Sequence, residues 1–150
     1  MAVFSVVALI ALVLVGVGKA QSEFIMVWEP RFEWRSVSHV LMIPAFILVV
    51  AGNVPNTHFR AHLRNPMMIG TCLWGIAHLW ANGDLASMIL FGGFTLWAAI
   101  KAVSLTMTQP APTHPGSILW DAIAIIVGLV LYGLVAVFHG QLFGVGLSFA

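Results

Sequence analysis

Apolar residues fall in five long runs, Ala2 to Gly18, Val37 to Val54, Met67 to Ala81, Leu85 to Leu105 and Ile118 to Phe138, separated by short polar or proline-rich breaks. Runs of this kind approach the roughly 20 residues that a helix needs to cross a hydrocarbon core about 30 Å thick. A bilayer interior offers no water to satisfy backbone groups, so the pattern predicts helices. The expectation is an all-α, polytopic transmembrane helical bundle of about five spans, forming a single membrane domain over residues 1–150. A signal peptide is the alternative for the first run. It lacks a basic region ahead of the apolar stretch, which favours a retained helix.

The breaks carry their own chemistry. Asn65-Pro66 places a capping side chain before a proline whose missing N–H costs nothing in a first turn, so a helix starts there. Asn82-Gly83-Asp84 is a tight turn signal, which makes the third and fourth spans an antiparallel hairpin. Pro110, Pro112 and Pro115 keep Thr106 to Ser117 from being helical throughout. Pro44 lies inside the second span and predicts a kink. Between Lys19 and Ser36, Phe24, Trp28, Phe32 and Trp34 alternate with Glu23, Glu29, Arg31, Glu33 and Arg35, a mixture suited to headgroup depth. An exposed loop with incidental aromatics is the competing reading.

Composition agrees with the pattern. The chain is 61% hydrophobic and 7% charged, with a mean hydropathy of +1.02, where soluble domains carry about a quarter charged residues. A net charge of +1 with scattered basic residues argues against a nucleic-acid partner. The lone Cys72, among apolar neighbours, reads as an inert thiol before a ligand or redox sensor. Lys and Arg divide three and three between the two sides, so orientation is weakly coded. The dense His58 to Arg64 patch favours that side as cytoplasmic.

Alternating spans turn the sequence into a depth map. His39 opens the second span, His78 closes the third and His139 closes the fifth, so these three share one membrane face with Asn82 and Asp84. His58, His62 and His114 fall on the other. Neutral imidazoles from several helices at one depth are how bundles bind iron, zinc or copper. Ordinary interfacial placement is the alternative for each. An ionisable group inside a membrane helix is functional by default, and His78 is the prime candidate.

The third run, 15 residues, spans about 22 Å at the usual rise, less than the hydrocarbon thickness. Either its helix extends back through Arg64 or its turn at Asn82 is recessed, forming a cavity mouth with His78 and Asp84. Trp74, His78 and Asn82 share one face at i, i+4 spacing, as a cofactor wall or as packing. Lys101 and Asp121 sit at similar depths and predict an ion pair between the fourth and fifth spans, against independent snorkelling. Ala98, Ala102, Ala124 and Gly128 have the spacing of closely approaching helices. No Gly-x-Ser-x-Gly, phosphate loop, HExxH or CxxC occurs, so hydrolytic, nucleotide and zinc-peptidase chemistry lack support.

Trp28-Glu29-Pro30, Ser38-His39-Val40-Leu41-Met42, the stretch from His62 to Phe94 with its Arg-x-Pro, Trp, Ala-His and Asn-Gly-Asp series, and Leu142-Phe143-Gly144-Val145 resemble the NnrU family of bacterial membrane proteins. The resemblance implies a multi-pass protein of the bacterial inner membrane, accessory to nitrite and nitric oxide metabolism in denitrification. The family is similar to zeta-carotene isomerase, which uses haem b. By that likeness His78 matches an axial haem ligand. Family members usually begin with a further helix carrying a His-Ser step, and this chain starts after that point. The resemblance then leaves His39 as the substitute second ligand, or a five-coordinate iron.

Three functions compete. One is a denitrification accessory factor, with haem at His78. Another is a haem-dependent cis-trans isomerase of a polyene or similar apolar small molecule, with Trp74 and Trp97 lining a slot. The third is a scaffold packing against partner membrane proteins, with His78 bonded to Asn82 or a backbone carbonyl.

Overall fold

The computed structural model describes residues 2–31, 35–110 and 112–147, apart from the side chains of residues 2 and 4. Phe32, Glu33 and Trp34 of the expected interfacial loop lie outside the described residues. Six helices account for the described structure: α1 (Ala2–Gln21), α2 (Arg35–Asn53), α3 (His58–Leu63), α4 (Pro66–Ala81), α5 (Leu85–Thr108) and α6 (Ile118–Phe143). Pro66 occupies the first turn of α4 as expected, whereas the Asn65 side chain makes no capping bond. α2 runs continuously through Pro44.

Among the described residues, α2, α5 and α6 are long and apolar enough to cross a membrane. The expectation of about five spans is not met on that measure. α4 has 16 residues, about 24 Å of helix, and begins only after Arg64, which takes φ 58° at the end of α3. The chain turns at Arg64, so α4 does not extend back through it. α3 is a further departure, a single short helix within the expected basic loop. Buried Thr57 starts it, accepting a hydrogen bond from the Arg60 N–H at 3.1 Å.

The long helices form one row in the order α1, α5, α4, α2, α6, and α3 sits beside α2, α4 and α6. Small residues set the spacing. Ala45, Ala51, Ala77, Ala98 and Ala124 are buried, and Gly70 and Gly128 let α4 and α6 approach the α2 backbone. A Cβ on Gly128 would stand 2.7 Å from the Ile47 Cα. Ala124 and Gly128 therefore serve close approach to α2, while Ala98 is buried on α5, whose main neighbour is α4. The outer surface is apolar, with Val6, Leu9, Leu96, Ile126 and Val137 all exposed, as lipid contact requires.

Among the described residues α5 and α6 make no contact, because α4 and α2 lie between them in the row. The expected Lys101–Asp121 ion pair is therefore wrong. Lys101 is exposed, and Asp121 pairs instead with His58.

Asp84 also departs from expectation. It turns away from the cavity mouth, accepts the Ser87 N–H at 2.9 Å as the α5 cap, and pairs with Lys19 at 3.1 Å. Burial pushes its carboxyl up, but hydrogen bonding from Ser87 and the Lys19 ammonium outweigh this and hold it below its ordinary value. The loop after α1 docks on the same turn: Val27 and Trp28 N–H groups donate to the Gly83 carbonyl and Leu85 N–H to Ile25. Any Cβ on Gly83 would collide with the Trp28 carbonyl.

Asp84→Ala should cost about 1–2 kcal/mol, typical of a lost cap. A depressed carboxylate contributes stability above its unfolded value near pH 4, lost as pH falls through the lower folded value. The gap between wild type and Asp84→Ala in thermal melts should accordingly be full at pH 7 and close below pH 4.

Candidate functional site

Three helices bring one face each to a common cavity of about 170 Å³. α2 supplies Arg35, Ser38, His39, Met42 and Phe46, positions that recur at three and four residues and so form a single stripe. α6 supplies Tyr132, Val135, Ala136 and His139 by the same periodicity, and the end of α4 supplies Ala77, His78, Ala81 and Asn82. Val145, Gly146 and Leu147 complete the lining. The chain reaches them by reversing at Gly144, which caps α6 at φ 75°, a conformation natural for glycine.

His39, His78 and His139 thus meet where the depth map expects. Each long helix begins at the end of the molecule where the preceding one stops, which fixes this outcome without knowledge of packing. Asn82 also lines the cavity and donates its Nδ2 to the His78 carbonyl at 2.8 Å, closing α4. Asp84 does not join them. Trp74 and Trp97 are outside the lining as well. Trp74 packs edge-on against Phe91 and Phe94, and Phe94 against Trp97, so the aromatic stripe is helix packing between α4 and α5. The slot expected of those two tryptophans is not formed.

The orientation of His78 is over-determined. Its Nδ1 lies 2.8 Å from the Trp74 carbonyl oxygen, which can only accept, so Nδ1 carries the proton. In the neutral ring Nε2 is then left with its lone pair. Phe91 stacks on the imidazole at 4.4 Å between centroids, and the Trp74 ring stands at 4.8 Å. His139 repeats the arrangement, its Nδ1 donating to the Val145 carbonyl at 2.6 Å. His39 Nδ1 is 3.4 Å from the Tyr132 hydroxyl, a long contact.

Tyr132, Arg35 and the terminal segment at Val145 also line the cavity, without a role there that the sequence pattern predicts. The signal for Tyr132 was present: it is the only tyrosine, and it stands seven residues before His139, on the same helical face. Nothing local marked the reversal that brings Val145 back.

At the opposite end, Asp121 accepts the His58 N–H at 2.8 Å and lies 2.6 Å from its Nδ1, while the Arg64 guanidinium donates to the Thr106 carbonyl at 2.6 Å. Arg64 thereby ties the turn before α4 to the C-terminal end of α5, where the helix dipole favours a cation.

Imidazole nitrogens with the opposite ring N–H already held are the donors that haem iron takes. The donor chemistry at His78 therefore suits a haem iron. The space does not enclose a whole macrocycle, since ligand pockets of drug size run to about 300–1,000 Å³. Part of a tetrapyrrole would stand outside it. Among the described residues, no three His, Cys, Asp or Glu side chains group to hold a bare metal ion.

No curated protein and no solved structure matches the chain. A family model described as NnrU protein matches residues 1–147, nearly the whole length, and the chain belongs to the NnrU family.

Proposed function

We propose that this protein is a denitrification accessory factor of the bacterial inner membrane that holds haem b through His78. The observation that supports this reading is the fixed tautomer of His78, whose Nδ1–H is committed to Trp74 at 2.8 Å beside a histidine-lined cavity. His39 faces the same space and is the second ligand in this reading, and Arg35 adds a cation to the lining. Bound haem would supply an iron centre for small-molecule or electron chemistry, and the protein would contribute ligation and an apolar surround. In the same reading α1 and α4 make two further crossings beside α2, α5 and α6. α4 does so through a locally thin layer, as short helices do by thinning the bilayer.

A scaffold role is the second reading. Its support is that the His78 N–H is already satisfied inside its own helix, which a packing histidine also requires. An isomerase finds less support, since neither Trp74 nor Trp97 reaches the cavity.

Purification in detergent after expression with haem supply separates the two. The accessory, haem-binding reading expects a Soret band near one equivalent per chain, reduced at least tenfold by His78→Ala. A colourless wild-type protein under the same conditions contradicts it and leaves the scaffold.

A further inference from the structure

His58 and His62 stand one helical turn apart on α3, at the membrane face opposite the cavity. Side chains at i and i+4 lie on one face of a helix. Their rings are 6.3 Å apart between centroids with 30° between planes.

Both rings have the same nitrogen occupied. The His58 Nδ1 is held by the Asp121 carboxylate at 2.6 Å, and the His62 Nδ1 donates to the His58 carbonyl at 2.8 Å. With Nδ1 protonated in each, the neutral rings keep their Nε2 lone pairs. A carboxylate or carbonyl behind a histidine is the arrangement that orients metal-ligating imidazoles and raises their basicity. His62 is exposed and the His58 side chain is 43% exposed, with Gly116 packed against the Cγ–Cδ2 edge of the His58 ring.

We propose that His58 and His62 form a two-imidazole binding site for a divalent first-row transition ion, with Asp121 as the positioning residue behind His58. Among the described residues no three-residue His, Cys, Asp or Glu group is available, so water fills the remaining coordination positions. Two nitrogen ligands and water rank the ions by the usual order, copper(II) above nickel(II) and zinc(II). An ion bridging one turn would also stiffen α3, a six-residue helix that has little stability of its own. The site is independent of haem and of the cavity histidines.

The test is titration of the tag-free full-length protein in detergent with copper(II), read by calorimetry and by the nitrogen hyperfine pattern in electron paramagnetic resonance. One ion per chain with two imidazole nitrogens is expected. His62→Ala, which removes an exposed ring, should weaken binding at least tenfold and leave a single-nitrogen pattern. Asp121→Asn should weaken it by about 10–100-fold, the usual effect of losing a supporting partner. His78→Ala should change neither affinity nor pattern. Unchanged binding in His62→Ala, loss of the ion in His78→Ala, or no uptake by the wild type would each overturn the proposal.

Discussion

Gly70→Val is expected to unfold or loosen the bundle by about 3 kcal/mol, at the upper end of overpacking costs. A Cβ on Gly70 would stand 2.7 Å from the Ala45 carbonyl oxygen and 2.9 Å from the Val49 nitrogen. Both are main-chain atoms of α2, so no rotamer change relieves the contact. The backbone term works the other way, since replacing a helical glycine recovers up to about 1 kcal/mol. Sterics win because α2 and α4 must separate, and with lipid outside there is no hydrophobic gain to offset lost packing. Gly93→Val supplies the control: nothing lies within 4 Å of a Cβ there, and its stability should stay within about 0.5 kcal/mol of wild type. Thermal unfolding in detergent, followed by circular dichroism, reads both.

Asp121→Ala should cost about 2–3 kcal/mol. The carboxylate takes two hydrogen bonds from His58, one from the backbone and one from the ring, and its side chain is only 19% exposed. Charge-assisted bonds are worth about 1.5–3 kcal/mol each, and the half-open His58 ring lowers the second contribution. Asp121 also sits in the first turn of α6, where a negative charge adds up to about 1 kcal/mol. Lys101→Ala should be neutral within about 0.5 kcal/mol, because Lys101 is exposed on a helix that does not touch α6. If Lys101 mattered as much as Asp121 in a thermal melt, the row of helices described above would be wrong.

What the sequence revealed and what it hid divide along one line. Helix ends are legible, because the alternating direction of successive long helices decides at which end of the molecule a residue lies. That arithmetic brought His39, His78 and His139 together without any packing information. Helix neighbours were not legible. Adjacency in sequence suggested that α5 and α6 pack, but the connection at 109–117 has nine residues and reaches about 30 Å when extended. Three helix-to-helix steps of 8–10 Å cover the same distance, so the loop can carry the chain past α4 and α2. Pro110, Pro112 and Pro115 encode the break and carry no information on how far it reaches.

Hydropathy hid smaller features for a related reason. α3 is too short for an apolar period, and only Thr57 ahead of it marks a start. Asp84 looked like part of the cavity because it is two residues from Asn82. The cap geometry of α5 instead directs its carboxylate to Ser87 and Lys19. The spacing of Trp74 suits a wall or packing equally, and only its partners Phe91 and Phe94 on α5 decide for packing.

The proposed haem ligation by His78 is tested most directly by ligand replacement in His78→Gly. Removing the ring leaves a space beside Phe91 that free imidazole can fill. His78→Gly purified with haem is expected to lack the wild-type Soret band, and millimolar imidazole to restore it at the wild-type position. A Soret band that persists unshifted in His78→Gly without imidazole would contradict that ligation.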